Sequence, residues 1–534
     1  MLQIKRREFL RLAALGAVAT LAACTPATTS PTAAPKDGEP TEVPAESSYK
    51  GELEFYAQAY TPTSENPNPD PKAPKREAMR RLADEWMDLH PGIDFKFMQA
   101  PEGDYISWIG TQLVGGTGPD VFWIWLSTLN QWADEGKTVP INDYLELPNK
   151  YAEGDSTPWK ETFKDPFLES YSTKGNYGGV PLDLVGTGLF TNLDMMKEAG
   201  IDFEAGINKE WGSPNSWADL IAWCEQLKAA GFIPISAGAG IINQWWISGM
   251  LADQFLHTWI EKFDGLNYYE NIEEKYQKGV ISQEEIFQAY YCDKFDPYAA
   301  PELRDMYRLV KEWATYMPVG FANPDYGNPM DLFLNNELAI VWDGSWAVGT
   351  ILQDSRRKFE FTSFLIPPVT KESSEFVPDP PFLPIQGAGY GSLSYGLNRK
   401  TLEKGCVDAC VDWLMWITTA EHDEMIVNEV PSFIPSHKKA KSLPEMSGFV
   451  PSDRHIHPVT DPYSWFGWQE DKWGDLLRRE QTLYYTGEID IDTFMENLRS
   501  QTPALAADVL RKAAIQYSPD GVWDLTRWKC QPDI

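Results

Sequence analysis

The chain has 534 residues, 43% hydrophobic and 13% aromatic, and its 78 acidic residues exceed the 46 basic ones by 32. The apolar fraction suffices for several packed cores, so disorder throughout is excluded, and the length predicts roughly two to four domains. The negative field repels phosphate backbones and anionic headgroups, which excludes nucleic acid as a natural partner. More pointed are the 22 Trp and 23 Tyr.

At the N-terminus, Lys5-Arg6-Arg7-Glu8-Phe9-Leu10 precedes an apolar run from Leu12 to Ala23. That run is shorter than the ~20 residues needed to span a bilayer, so it reads as an export signal. The paired arginines with Phe9-Leu10 resemble a twin-arginine signal, although Lys5 stands where Ser or Thr is usual. Leu21-Ala22-Ala23-Cys24 resembles a bacterial lipoprotein signal, which implies lipidation of Cys24 and residues 1–23 as signal peptide. An ordinary secretory signal with an incidental cysteine is the alternative. Residues 24–50 carry prolines at 26, 31, 35, 40 and 44 and read as a disordered tether, too polar to offset their ordering entropy.

The folded part opens with an alternating strand over 51–56, ending near Gln58 and Tyr60. Pro74 suits the first turn of a helix continuing to His90 with the stripe Met79, Leu82, Ala83, Trp86 and Leu89. Ile93 to Phe97 alternates as a strand, Asp104 can cap a helix bearing Ile106, Ile109 and Leu113, and Val121–Trp125 reads as a buried parallel strand. A helix from Ser127 to Glu135 follows. Ser216 caps a helix to Ala230, Ile233–Ile235 is strand-like, and residues 250–330 are mostly helical. Strands at Leu338–Trp342 and Phe359–Ile366 precede an amphipathic helix from Lys404 to Thr419. Strand–helix alternation predicts an α/β fold with parallel units.

Chemistry-bearing patterns are sparse. None of the six histidines has zinc-helix spacing, and His455-Ile456-His457 lacks companion ligands, so neither a metal nor a cofactor is expected. There is no nucleophile elbow and no phosphate-binding loop. Cys224, Cys406 and Cys410 fall on apolar helix faces and read as buried thiols. The five cysteines beyond Cys24 offer no disulfide framework.

Several collinear segments carry a resemblance. They are Gly116-Thr117-Gly118-Pro119-Asp120-Val121 with Trp132-Ala133-Asp134-Glu135-Gly136, and Tyr177-Gly178-Gly179-Val180-Pro181 with Leu189 to Asp194. Pro214-Asn215-Ser216-Trp217, Phe333 to Trp346, Cys410 to Glu421 and Pro431 to Pro435 complete the set. Together they resemble the extracellular solute-binding proteins of bacterial ABC importers, in particular the maltose-binding-like sugar group. Thr191 replaces a usual Tyr, and residues 250–330 and 440–470 look longer than in a typical member.

The resemblance implies a two-lobed periplasmic binding protein-like fold (type II) with discontinuous lobes, a central cleft and a hinge. One lobe would take residues 51–182 with about 365–435, the other 183–364 with about 436–534. Crossovers are expected near 181–187 and 362–368, with a return near 430–440. The function implied is capture of a carbohydrate, expected to be an oligosaccharide, by hinge closure and delivery to a transmembrane permease with its ATPase. The protein is expected to be a monomeric, non-enzymatic, membrane-anchored subunit.

Sugars offer apolar C–H faces rimmed by hydroxyls, which suit aromatic rings beside polar side chains. Trp346 lies at the family's stacking position. Trp125 and Ser127 end the Val121–Trp125 strand, whereas Trp123 is expected in the core. Asp183 follows the first crossover. One of Trp245 and Trp246 is expected to face the ligand, Trp473 resembles a late cleft tryptophan, and Gln58 and Tyr60 end the first strand. Two other functions stay open: a secreted carbohydrate-active enzyme using a carboxylate pair, and a binding subunit for a non-sugar solute.

Overall fold

The computed structural model describes residues 48–66, 75–101, 104–164, 175–237, 251–264, 281, 283–322, 328–384, 393–450, 455–456, 465–467, 472–516 and 523–534. The signal, the tether up to residue 47 and the pair Trp245 and Trp246 lie outside them; the end of the expected disordered tether does not, and Tyr49 packs against the first core.

Alternation of apolar residues builds β1 (Gly51–Tyr56) and β2 (Ile93–Phe97), whose inward side chains Leu53, Phe55, Ile93, Phe95 and Phe97 are buried. Between them runs α1 (Ala78–Leu89), burying Met79, Leu82, Ala83 and Trp86. It starts later than the sequence suggested, and Pro74 lies outside the described residues. Asp104 caps α2 (Tyr105–Val114) by accepting the Ser107 N–H at 3.2 Å. Then come β3 (Val121–Ile124) and α3 (Leu126–Asp134).

Two short strands, β4 (Gly179–Pro181) and β5 (Asp183–Leu184), lead into β6 (Thr187–Asn192). Ser216 caps α4 (Trp217–Ala229) as expected, accepting the Asp219 N–H at 3.2 Å. After β7 (Ile233–Ala237) come α5 (Thr258–Asp264), α6 (Gln283–Cys292) and α7 (Pro301–Ala314), then β8 (Leu338–Gly344) and β9 (Phe361–Phe364). β10 (Ser394–Leu397), α8 (Val407–Ile417), α9 (Ala420–Asn428), β11 (Ile434–Pro435), α10 (Lys472–Thr486) and α11 (Ile491–Gln516) complete the frame. Gly405, at φ 69°, separates α8 from a short preceding helix, so the predicted Lys404–Thr419 helix is broken near its start.

Two sheets result. The first runs β2-β1-β3-β10-β4, parallel among β1, β2 and β3, with β10 antiparallel to both β3 and β4. The second runs β7-β8-β6-β9, where only β7 and β8 are parallel. The expectation of parallel units is therefore corrected to mixed sheets. A strand arriving from the other sheet is free of the right-handed crossover constraint and can pair antiparallel. The chain passes between sheets at 182–186, between β9 and β10, and again at β11, which pairs antiparallel with β5 (Ile434 opposite Leu184).

Each sheet carries its own apolar core. Around the first, Trp413 packs on Phe55, Trp86 and Phe95 with ring centroids 4.5–5.8 Å apart. Around the second, Trp313 touches Trp217 and Trp342 at 5.8 and 5.3 Å, and α5–α7, α10 and α11 join that cluster. Cys224, Cys406 and Cys410 are free and buried, as read from their helix faces. The absence of a disulfide framework is overturned: Cys292 at the end of α6 is bonded to Cys530, across 238 residues of sequence. That distance hid the pair, because sequence shows no proximity between residues so far apart.

Candidate functional site

In open α/β sheets, ligands bind outside the carboxyl ends of strands, where loops carry side chains that the sheet holds rigidly. Most of this protein's tryptophans are core residues. Among the described residues only Trp125, 47% exposed, and Trp346, 39% exposed, stand open to solvent. Trp125 follows the last residue of β3, the central strand of the first sheet, and forms the N-cap position of α3. Trp346 comes two residues after β8, an interior strand of the second sheet. Both were singled out from sequence, and each is placed at a strand's carboxyl end.

On the first sheet Trp125 belongs to an aromatic wall. Its ring meets Trp123 at 5.7 Å; Trp123 lies 5.1 Å from Tyr105, which in turn lies 5.0 Å from Tyr56 and 5.8 Å from Trp108. The Tyr105 hydroxyl donates to the Trp123 carbonyl at 2.6 Å, fixing α2 against β3. These four further rings are half-buried, so Trp123 is not the enclosed core residue expected. Burial lifts the Tyr56 and Tyr105 phenols above their ordinary range. Sequence reasoning missed Tyr56, Tyr105 and Trp108. Tyr56 could have been found, since it ends the same strand that drew attention to Gln58. Ser127 is exposed on the first turn of α3, beside Trp125.

On the second sheet Trp346 lies over Gly344, where a Cβ would come within 2.2 Å of the indole. Only glycine permits that approach. Asp343, the next-to-last residue of β8, is half-buried and accepts the Gly344 N–H at 2.7 Å. Loss of solvent raises the Asp343 carboxyl above the usual range, and the Gly344 N–H opposes the shift. The returning segment closes round this turn. Ser345 donates through its hydroxyl to the Ser432 carbonyl at 3.0 Å and through its N–H to the Gly186 carbonyl at 2.8 Å. Phe433, next along, lies 5.8 Å from Tyr60.

Tyr60, Asp183 and Trp473 are placed otherwise than the sequence suggested. Tyr60 is 2% exposed, and its hydroxyl donates to the fully buried Asp183 carboxylate at 2.6 Å. Asp183 also accepts the Leu393 N–H at 2.9 Å. The pair thus ties the first crossover to the ends of β1 and β10, and its polar atoms are engaged inside the protein. Trp473 is 2% exposed on α10, 5.3 Å from Phe466, and belongs to the second core. Gln58 is half-buried at φ 54°, a left-handed conformation uncommon for a side-chain-bearing residue, and its amide oxygen accepts the Ala59 N–H.

Beneath the crossover lies a second polar cluster. Asp423 is fully buried and accepts the His437 N–H at 2.6 Å, and burial pushes its carboxyl well up. His437 is 4% exposed; its Nδ1 accepts the Lys439 N–H at 3.0 Å, and burial lowers its pKa to about 4. An unfolded histidine titrates near 6.5. The stability held by the neutral ring is therefore complete above that value and declines as pH falls towards 4, by up to about 3 kcal/mol. Asp423 works in the opposite sense, since its protonation favours the folded state. Comparing denaturant unfolding of wild type and His437→Asn from pH 7 to pH 4 isolates the histidine, and the variant should lose less stability by about that amount.

Among the described residues, no group of three or more His, Cys, Asp or Glu could hold a metal ion, and no helix is long and apolar enough to cross a membrane.

Residues 72–415 match the family described as bacterial extracellular solute-binding protein. The chain is 22% identical over 351 residues to a maltotriose-binding protein of Pyrococcus abyssi, a match covering 64% of this chain and 60% of that protein. Its fold is similar to apo RafE of Streptococcus pneumoniae (14% identity, TM-score 0.55, 87% of this chain and 100% of that one). It is likewise similar to the GacH receptor of Streptomyces glaucescens (16% identity, TM-score 0.51, 86% and 99%). At such identities the structural likenesses establish the fold, and the match to the maltotriose-binding protein spans less than two thirds of that protein's length. The family match covers well over half of the chain, and with the two-sheet architecture it places this protein in the bacterial extracellular solute-binding protein family.

Proposed function

We propose that the protein is the substrate-binding subunit of an ABC importer, and that it captures an oligosaccharide by stacking it on tryptophan. The observation that carries this reading is the pair of exposed indoles, Trp125 and Trp346, at the carboxyl ends of interior strands of two different sheets. A sugar held between both indoles would draw the two sheets together, so binding would select a closed state. The lobes would comprise 51–182 with about 365–435 and 183–364 with about 436–534, meeting at the β5–β11 junction. The separate cores of the two sheets support a two-lobe division, but Ile366, Val369 and Val377 pack in the second core, which moves the boundary near 365 past 377.

The relatives add weight. One is named for maltotriose, and GacH is described in complex with acarbose. The Leu21–Cys24 segment supports anchoring through a lipid on Cys24, with the tether holding the binding part off the membrane. Trp245, Trp246 and Ser127 remain candidate contacts. Cargo would pass to the permease unaltered.

A thermal-shift screen against maltotriose, raffinose, acarbose and chitotriose tests the reading. At a free concentration of one hundred times Kd, a bound sugar stabilises the protein by about 2.7 kcal/mol, and its binding should change tryptophan emission. Release of a shortened sugar during prolonged incubation would instead favour the glycosidase reading. A set of sugars that moves neither melting nor emission, beside an amino acid or polyamine that moves both, would replace the carbohydrate with another solute.

A further inference from the structure

The chain changes core at the β5–β11 junction. Leu182 packs in the first core, but Leu184 joins a separate cluster with Phe190 and Val341, whose strand neighbours Leu189 and Ile340 face the other way into the second core. On the returning segment, Val430 and Phe433 pack against the first core, while Ile434, opposite Leu184, joins the cluster of Phe190 and Val341. The boundary between the sheets therefore runs through Asp183 and between Phe433 and Ile434.

Ser345 grips the chain on both sides of that boundary. It is fully buried, directly after β8 and next to Trp346. Its N–H donates to the Gly186 carbonyl at 2.8 Å, on the second sheet's side. Its hydroxyl donates at 3.0 Å to the carbonyl of Ser432, which lies between two residues packed on the first core. Two more contacts cross at the same place. The Ser432 hydroxyl donates to the Trp346 carbonyl at 3.4 Å, and Gly349 lies so near Pro431 that a Cβ would come within 3.3 Å of its carbonyl oxygen.

We propose that Ser345 is a positioning residue for Trp346: its hydroxyl fastens the turn that carries the indole to the returning segment, so the place of the ring is set from across the boundary. The meaning of this for binding rests on the sugar-stacking reading; the hydrogen bonds do not. A turn already held in place spares the ordering cost that a loose one would bear at the moment of binding. Serine suits the task, because alanine at this buried position would leave the Ser432 carbonyl short of a donor. Since the returning segment packs on the first core, approach of the two sheets and the placement of the indole become linked.

Four variants of the full chain test this: Ser345→Ala, Gly349→Ala, Trp346→Ala and the double variant Ser345→Ala/Trp346→Ala. Melting temperatures establish that each is folded. The near-UV circular dichroism contribution of Trp346 without ligand is wild type minus Trp346→Ala. Measured as Ser345→Ala minus the double variant, it should fall by at least half. With the sugar that gives the largest thermal shift among maltotriose, raffinose and acarbose, Ser345→Ala should weaken binding about tenfold. Gly349→Ala presses on Pro431 and leaves the Ser345 hydroxyl in place; it should weaken binding about threefold.

With the indole gone there is nothing left to position, so in the Trp346→Ala background Ser345→Ala should cost no further affinity. An unchanged Trp346 contribution in Ser345→Ala, or the same loss of affinity with and without the indole, would overturn the assignment. Should Ser345→Ala not fold, unchanged affinity in Gly349→Ala overturns it instead. If no sugar binds, the stacking reading falls, while the ligand-free spectra still decide whether Ser345 holds the ring.

Discussion

Replacing Trp346 with alanine should weaken sugar binding by roughly thirtyfold or more, the effect of removing a hot-spot side chain worth about 2 kcal/mol. The residue is 39% exposed, so its loss leaves no cavity in the core and the variant should unfold within a degree or two of wild type. Titration of maltotriose or raffinose, followed by tryptophan emission or calorimetry, provides the measurement. Trp125→Ala should behave similarly but more mildly, because Trp123 and Tyr105 remain behind it as aromatic surface. Equal affinity in wild type and Trp346→Ala would remove the residue on which the sugar reading leans hardest.

Asp183→Ala should do the reverse. The carboxylate is fully buried and takes the Tyr60 hydroxyl at 2.6 Å and the Leu393 N–H at 2.9 Å. Alanine would leave both donors without their acceptor, at a cost of about 3 kcal/mol in stability. Asp183→Asn, whose amide can still accept one of them, should recover part of that loss. Measured on folded protein well below its melting point, affinity for sugar should fall far less than stability does. Intact stability with abolished binding would return Asp183 to the ligand-contact role that its place in the sequence suggests.

Burial separates these two cases, and sequence carries burial unevenly. Both residues lie at strand ends next to chain crossovers, where loops on a rigid scaffold often bind ligands. Trp346 lies over Gly344, whose missing Cβ makes room for the ring, and stays 39% exposed. Asp183 closes because Tyr60, more than a hundred residues earlier, and Leu393, far later, converge on it. Trp473 shows the same blindness. Its helical stripe is compatible with facing a cleft or a core, and Phe466 and the rest of the second core settle it as core.

The sequence by itself determined the elements and the class of fold. Alternation at 51–56 and 93–97 and the caps at Asp104 and Ser216 are local signals, read within a few residues and realised by the backbone nearby. The family segment Phe333–Trp346 likewise marked Trp346, and the end of the apolar Val121–Trp125 run marked Trp125. Only the tertiary structure decided that β6 lies antiparallel in a mixed sheet, that Cys292 meets Cys530, and that Tyr56, Tyr105 and Trp123 form one wall. Strand pairing, disulfide partners and ring-on-ring contacts join residues remote in the chain, and the free energy that selects them comes from packing the whole, which no local pattern encodes.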